Sequence, residues 1–357
     1  MRRFIPIAVA ALAAAGIATA AATASASAAT ASGGSRDASV VLPSHSYAPY
    51  FEAYDTTDGG LAQLSAESGQ KYITLAFLQT PTPGSCTADW NGDTTTPISA
   101  TAAGSFGADI AAIEARGGTV IPSFGGYGAD TTGTELADSC SSVSAIAGVY
   151  ESLATTYHIT RIDLDVEADS LTNAPGIDRR NQAVALAEAW AAAHHKVLQF
   201  DYTIPVNPTG LTASGLSVLQ NAAADGAKVT EVNVMTFDYY FGTTQDMLAD
   251  AEDAATATFG QLQSIYPDES SRALWHSIGI TTMPGIDDFG AAETFTTADA
   301  PRLLAWAATH NLGLLSIWAL QRDNGGCVGT KGAGSCSGVA QPTWLFSHVF
   351  GLFDYLP

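Results

Sequence analysis

The chain has 357 residues, and its 35 acidic and 14 basic side chains give it a formal net charge of −21. So acidic a chain is a poor partner for nucleic acid, because a phosphate backbone binds basic surfaces. The length suits one large barrel or two smaller domains.

The first residues have the pattern of a secretory signal peptide. Arg2 and Arg3 precede an apolar, alanine-rich run, and the small polar stretch "ATASASAAT" follows it. This order predicts a signal peptide over 1–28 and then a short flexible segment over 29–42. A membrane anchor is the alternative, but no basic stop-transfer signal follows and no later stretch is apolar enough to span a bilayer. We therefore expect a secreted, extracellular protein with no membrane partner.

Residues 43–357 contain no internal linker, and β-branched stretches alternate with alanine-rich ones. The strand candidates, in chain order, are 47–54, 71–78, 118–125, 159–167, 196–204, 229–238, 276–283 and 312–320. The helix candidates are 60–69, 97–116, 141–157, 178–194, 211–226, 245–265, 297–310 and 340–352. Eight strands, each followed by a helix, predict an α/β fold, a (β/α)8 TIM barrel. An open doubly wound sheet is the alternative.

The four cysteines are an even number in a chain that we expect to be exported, which predicts two disulfides. Cys327 and Cys336 bracket a glycine-rich loop and are expected to pair, which leaves Cys86 with Cys140. Their spacing does not fit a zinc site.

The fourth strand candidate carries three acids in alternation, Asp163, Asp165 and Glu167, with apolar residues between them. In a half-exposed sheet these acids would face water, which is the commoner case for such a pattern. In a barrel the apolar residues face the helices, and the acids point inward and climb toward the catalytic mouth. Three carboxylates in that space cannot all stay ionised, so we expect proton sharing to raise the pKa of Glu167 toward that of a general acid.

Other strand ends carry further candidate site residues. Strand three ends with Ser123, Gly125 and Gly126, where missing side chains let a ligand or a neighbouring backbone come close, although tight packing at a barrel corner explains glycines equally well. Strand six ends "VMTFDYY", which places Asp238 among aromatic residues, and Trp318 near the end of strand eight could form the floor of a pocket. A buried tryptophan is more often part of a core, but at the mouth of a barrel sugar stacking is the better interpretation.

These residues resemble motifs of glycoside hydrolase family 18, the chitinase family, in its bacterial single-barrel form. The matches are Asp163, Asp165 and Glu167 to the last three acids of DxxDxDxE, 123–126 to SxGG, 235–238 to MxYD, and Trp318 to the last-strand tryptophan. The resemblance extends over essentially the whole of 43–357. Two positions depart from it: Thr160 and Arg161 stand where the first acid and a glycine are usual, and Phe237 replaces the tyrosine of MxYD.

The resemblance implies a retaining mechanism in which the substrate's own N-acetyl oxygen is the nucleophile. Glu167 would be the general acid and base, Asp165 would bind the acetamido N–H, and Asp163 would hold the spare proton. Asp238 would orient the acetamido group and Trp318 would stack beneath the sugar. The remaining substrate-binding candidates are Ser123, Gly125, Gly126, Met235, Phe237, Tyr239 and Tyr240, of which the two tyrosines could supply the hydroxyl that Phe237 lacks.

The resemblance implies a chitinase that acts on chitin or N-acetylglucosamine oligosaccharides, without metal or organic cofactor. Only about 28 residues separate strands seven and eight, so no large insertion domain fits there, and an open cleft favours endo attack. We expect a monomer. An endo-β-N-acetylglucosaminidase acting on N-glycans is the nearest alternative, and a non-catalytic lectin-like barrel is the other, although such proteins generally lose the acid.

Overall fold

The computed structural model describes residues 39–357. The predicted signal peptide and most of the predicted flexible segment lie outside the described residues. Leu42, at the end of that segment, is buried against Ala48, Ile121 and Leu314. None of the helices between residues 39 and 357 combines the length and apolar character that a bilayer span requires.

Eight parallel strands form the centre of the molecule. They are Ser46–Tyr47 with Tyr50–Glu52, then Tyr72–Gln79, Thr119–Gly125, Arg161–Asp165, Gln199–Asn207, Val229–Met235, Ile278–Thr282 and Leu314–Ile317. We number them one to eight in this order. Each strand pairs in parallel with the next one along the chain.

The first strand closes the sheet into a ring. Its segment Ser46–Tyr47 pairs with strand eight, and its segment Tyr50–Glu52 pairs with strand two. Between the segments, the Pro49 carbonyl accepts a hydrogen bond from the Thr74 N–H at 3.0 Å. The predicted TIM barrel is therefore confirmed, and the open doubly wound sheet is wrong.

Helices cover the outside of the ring. Those that correspond to the predicted helices are Leu61–Ser68, Gly107–Glu114, Val143–Thr156, Ala174–Ala193, Ala213–Asp225, Met247–Ile265, Ala300–His310 and Leu345–Phe350. Side-chain oxygens cap several of these helices: Ser142 accepts the Ala145 N–H, and Asn173 accepts the Gly176 N–H. Three short helices had not been predicted, Tyr127–Thr132, Leu136–Ser139 and Ser271–His276.

Several predicted elements are longer than the observed ones, and two of them illustrate the difference. The helix expected over 97–116 begins only at Gly107, because Ser99 Oγ accepts the N–H groups of Thr101 and Ala102 and so favours a turn. The strand expected over 229–238 ends at Met235, and the backbone then turns, with Asp238 at φ 53°.

The row on strand four has the orientation that a barrel requires. Ile162, Leu164 and Val166 are at most 1% exposed and belong to the core that the sheet shares with the helices. The alternate residues of the strand therefore point into the ring, as predicted.

The connection after strand seven is short, as predicted. It holds a two-stranded antiparallel ribbon, Gly285–Ile286 paired with Thr294–Phe295, before helix Ala300–His310 begins. Both predicted disulfides are present. Cys86 is bonded to Cys140 across 54 residues, and Cys327 to Cys336 across 9.

The two disulfides should contribute unequally to stability. A cross-link restricts the unfolded chain more when it closes a longer loop, so loop entropy gives about 4 kcal/mol for Cys86–Cys140 and about 3 kcal/mol for Cys327–Cys336. Replacing both cysteines of a pair by alanine should therefore lower the denaturation midpoint more for the first pair. Chemical unfolding of the two double variants measures this, and an equal or reversed loss would contradict the loop-entropy account.

Candidate active site

Asp163 is held inside the barrel by three hydroxyl groups. Tyr50 donates to Asp163 Oδ2 at 2.9 Å, Ser123 to the same oxygen at 2.6 Å, and Thr203 to Oδ1 at 2.7 Å. The side-chain amide of Asn233 donates to the Tyr50 and Thr203 oxygens and so fixes the direction of their protons. Burial raises the pKa of Asp163, and these donors oppose that rise because they stabilise the carboxylate.

Asp165, unlike Asp163, is not surrounded by hydroxyl donors. It is 3% exposed, and its Oδ1 has no hydrogen-bond partner among residues 39–357. Burial raises its pKa well above the usual value, and repulsion from Glu167, Asp163 and Asp130 raises it further. In the ligand-free barrel, therefore, Asp165 binds a proton more readily than Asp163 does.

Glu167 lies just beyond the end of strand four, at the mouth of the barrel. Its backbone N–H donates to Asp130 Oδ2 at 2.5 Å, which fixes the start of the following turn. Burial raises the pKa of its side chain to about 7, and the Tyr127 backbone N–H offsets part of that rise. The pKa of Glu167 is raised, as the sequence predicted, but the cause of the rise is burial. Repulsion between carboxylates instead raises mainly the pKa of Asp165.

Gly125 and Gly126 allow close contacts behind the acids. A Cβ on Gly125 would lie 2.0 Å from the Asp165 carbonyl oxygen, and one on Gly126 would lie 2.5 Å from the Phe77 ring. Their φ angles of 96° and 80° are in the left-handed region that favours glycine. These glycines keep the Asp165 backbone and the Phe77 ring in place.

A cleft of about 1120 Å³ opens at the carboxyl ends of the strands. Eight of the predicted site residues line it: Asp165, Glu167, Met235, Phe237, Asp238, Tyr239, Tyr240 and Trp318. The other four, Asp163, Ser123, Gly125 and Gly126, are not part of its lining. Asp163 and Ser123 are at most 2% exposed and support the acids from within the barrel.

The cleft has an aromatic floor. Trp318 is half-buried and stacks on Phe77, with ring centroids 5.5 Å apart and planes 18° apart. Tyr50 lies against the same tryptophan at 5.4 Å. The Trp318 ring is thus supported on its protein side, and it also lines the cleft, where it can stack with a sugar ring.

Two buried carboxylates hold the turn that carries Asp238. Asp287 accepts the Asp238 N–H at 3.1 Å, and Glu293 accepts the N–H groups of Tyr239 at 2.7 Å and Phe241 at 3.3 Å. Burial, together with repulsion from Asp288 and Asp287, raises the pKa of the Asp238 side chain to about 7. Asp238 is thus a second carboxyl group that binds a proton near neutral pH at the rim of the cleft.

The two tyrosines that follow Asp238 differ in exposure. The Tyr239 hydroxyl is buried without a partner in the described part of the chain, and burial followed by repulsion from Asp250, Glu293 and Asp287 raises its pKa. Tyr240 is 59% exposed, and burial followed by repulsion from Asp238 raises the pKa of its hydroxyl. Of the two, Tyr240 is the better placed to supply the hydroxyl that Phe237 lacks.

No protein-family model matches the chain. It is 30% identical over 326 residues to a probable bifunctional chitinase/lysozyme of Escherichia coli (strain K12), and 29% identical over 289 residues to endochitinase 11 of Metarhizium anisopliae. These matches cover 87% and 79% of this chain, but only 35% and 53% of the two relatives.

A solved structure extends the comparison to the fold. The catalytic domain of the hyperthermophilic chitinase from Pyrococcus furiosus matches with a TM-score of 0.76 and 29% identity, over 89% of this chain and 97% of that one. These comparisons confirm the resemblance of the chain to glycoside hydrolase family 18, the chitinase family.

Within this family 18 barrel, the structure explains the departure at the start of the acidic row. Thr160 donates to the Val40 carbonyl at 3.2 Å, so it serves the outer packing of the barrel. Arg161 occupies the inward position below Asp163 and forms ion pairs with Glu231 at 3.1 Å and Asp201 at 3.6 Å. A buried ion-pair cluster therefore fills the base of the barrel beneath the acidic row.

Several residues of the family 18 site could not be identified from motifs. Tyr50, Thr203 and Asn233 hold Asp163, and Asp130 holds the Glu167 backbone, yet each is an isolated polar residue in its own segment. Only their positions in the strands could have indicated these residues, because Tyr50, Thr203 and Asn233 lie at inward-facing positions of barrel strands. The described residues contain no group of three or more His, Cys, Asp or Glu side chains that could hold a metal ion.

Replacing Gly125 tests how closely the acids depend on the neighbouring backbone. Gly125→Ala places a methyl group against the Asp165 carbonyl and requires an alanine at φ 96°, so we expect activity to fall at least ~10-fold and stability by about 1–3 kcal/mol. Gly148→Ala is the matched control, because it lies in a helix with open space around the new methyl group and should be neutral or slightly stabilising. Thermal unfolding and turnover are measured together, and equal behaviour of the two variants would contradict this account.

Proposed function

We propose that this chain is a secreted chitinase that cleaves β-1,4-linked N-acetylglucosamine polymers at internal bonds, by a retaining, substrate-assisted mechanism. The observation that carries the proposal is the pairing of Glu167, whose pKa lies near 7, with the unpartnered and buried Asp165 in a cleft floored by Trp318. A general acid works best when its pKa is close to the working pH.

The first step is protonation of the leaving group. Glu167 lines the cleft and retains its proton in a large fraction of molecules near neutral pH, so it can donate to the glycosidic oxygen. As that bond breaks, positive charge develops at the anomeric carbon. The acetamido oxygen of the same sugar attacks this carbon and forms an oxazolinium ion, which conserves the carbonyl's electron pair as the new C–O bond.

Asp165 assists this attack by accepting the acetamido N–H. Its Oδ1 has no donor among residues 39–357, so it can accept the hydrogen bond from the acetamido group. Asp165 must then give up its own proton, and Asp163 is the adjoining acid on the same inward face. With its proton on Asp163, Asp165 carries the negative charge that stabilises the oxazolinium ion.

Glu167 completes the cycle as a base. Having lost its proton, it removes one from the incoming water, which opens the oxazolinium ring and leaves the configuration at the anomeric carbon unchanged. Asp238 and Tyr240 are placed at the rim to orient the acetamido oxygen. Trp318 stacks beneath the sugar whose bond is broken.

The shape of the cleft supports internal cleavage. The ribbon after strand seven is short, and residues 39–357 form no large domain beside the mouth, so a polymer could lie across the barrel. Export is proposed from the predicted signal peptide, and the two disulfides are consistent with an oxidising compartment.

Glu167→Gln tests the assignment of the acid. The amide keeps the shape of the side chain but cannot donate the proton, so turnover on unactivated chitin oligosaccharides should fall at least ~10²-fold with little change in binding. Glu188→Gln, on the helix Ala174–Ala193, should retain activity. If Glu167→Gln turned over at near the wild-type rate, another residue would have to be the acid.

A comparison of substrates separates the candidate functions. The protein should hydrolyse fully acetylated chitin oligosaccharides with retention, leave fully deacetylated chitosan intact, and release little glycan from a high-mannose glycoprotein. Product analysis by mass spectrometry and NMR measures all three. Preferential release of the glycan would favour the endo-β-N-acetylglucosaminidase, binding without cleavage would favour the lectin, and cleavage of fully deacetylated polymer would rule out substrate assistance.

A further inference from the structure

The cleft continues beyond the acids to a second polar region near the end of strand one. Glu52 is the last residue of this strand, which lies three places around the ring from strand four and Glu167. Tyr54, Asp288, Arg322 and Gly334 line the cleft beside it. This region, which we call the strand-one region, therefore lies in a different part of the cleft from Glu167, and Asp288 connects it to Asp238 by a backbone hydrogen bond.

Glu52 is buried but incompletely hydrogen-bonded. The side chain is 5% exposed; Tyr54 donates to its Oε1 at 2.5 Å, whereas Oε2 has no partner among residues 39–357. Burial raises the pKa of this carboxyl group. An unpartnered carboxylate oxygen in a cleft is costly to leave without a donor, and a cationic donor offsets that cost best.

The glycines on the facing loop leave space beside this oxygen. A Cβ on Gly334 would lie 3.5 Å from Glu52 Oε2, which is ordinary contact distance, so the loop closed by Cys327–Cys336 presents bare backbone there. The Tyr54 ring is 55% exposed and also lines the cleft. A flat aromatic surface beside a carboxylate is suited to a sugar ring that carries a positive substituent.

Arg322 does not neutralise the strand-one region. Its Nη groups donate to the backbone carbonyls of Pro284, Ile286 and Ala333, so the guanidinium is engaged in holding loops together. Its one positive charge interacts with three cleft-lining carboxylates, Asp288, Glu52 and Asp238. The region therefore keeps an excess of negative charge.

We propose that the strand-one region is a binding subsite for a glucosamine unit, with Glu52 accepting a hydrogen bond from the ammonium group and Tyr54 stacking on the ring. This inference rests on the proposed action on N-acetylglucosamine polymers and specifies which polymers bind best. Partially deacetylated chitin carries both the acetamido group that the cleavage site needs and the ammonium group that Glu52 binds.

The test uses the full-length protein and chitosan that is about half deacetylated. Mass-spectrometric sequencing of the products should show glucosamine enriched at one fixed distance from the cleaved bond. In Glu52→Gln this enrichment should disappear and kcat/KM on the chitosan should fall roughly tenfold, while kcat/KM on fully acetylated oligosaccharides stays within about twofold. The retained activity shows that the variant is folded.

Two controls distinguish a specific subsite from general attraction. Glu67→Gln removes an exposed carboxylate that does not line the cleft and should leave both substrates unaffected. Asp288→Asn should weaken the preference without abolishing it, and it carries the test if Glu52→Gln does not fold. Added salt should reduce the preference of the wild type only partly, because Glu52 is buried.

The proposal is overturned if the wild-type products carry glucosamine at random positions, if Glu52→Gln keeps the enrichment, or if this variant loses both substrates equally. Failure of the proposed function would look different, since the wild type would then not cleave fully acetylated oligosaccharides at all. In that event, calorimetric binding of glucosamine and N-acetylglucosamine oligosaccharides to wild type and Glu52→Gln decides the subsite by itself.

Discussion

The site depends on one electrostatic constraint: carboxyl groups enclosed in a narrow barrel cannot all be ionised. Asp163, Asp165 and Asp201 are each at most 3% exposed, and Glu167 follows the end of the strand that carries the first two. Hydroxyl donors stabilise the charge on Asp163. Burial raises the pKa of Asp201 and Arg161 opposes part of that rise, whereas Asp165 has neither kind of partner. Burial and the neighbouring acids therefore raise the pKa of Asp165, which in the proposed mechanism is the group that accepts the substrate's amide N–H.

The acidic side chains along the rim of the cleft also differ in whether they have hydrogen-bond donors. Asp287 and Glu293 form no ion pair with a basic side chain in the described part of the chain, but they accept backbone N–H groups and so fix the turn that presents Asp238. Glu52 keeps one oxygen without a donor. Acids held by backbone groups stabilise the loops of the cleft, whereas acids left without donors are available to ligands.

The sequence predicted the barrel and the acidic row because both depend on local periodicity. Acidic and apolar residues alternate on strand four, which assigned Asp163, Asp165 and Glu167 to one face. The assumption of a closed barrel then predicted that this face points inward. Tyr50 and Asn233 could not be identified in this way, since the hydrogen bonds from Tyr50 to Asp163 and from Asn233 to Tyr50 depend on the register of separate strands. Glu52 was not predicted as a site residue because its surroundings come from a loop that is distant in sequence. The sequence also could not show that burial is the main cause of the raised pKa of Glu167, because burial depends on the folded structure.

The way the ring closes also bears on how the protein reaches its native state during synthesis. Ser46 pairs with Leu314, so the segment made early cannot complete its hydrogen bonds until almost the whole barrel has been translated. Until then, strands one and two form an open edge of a growing parallel sheet, and such edges favour association between chains. Partners of such large sequence separation also slow folding. A chain of this design benefits from a chaperone that protects the early strands until strand eight has been made.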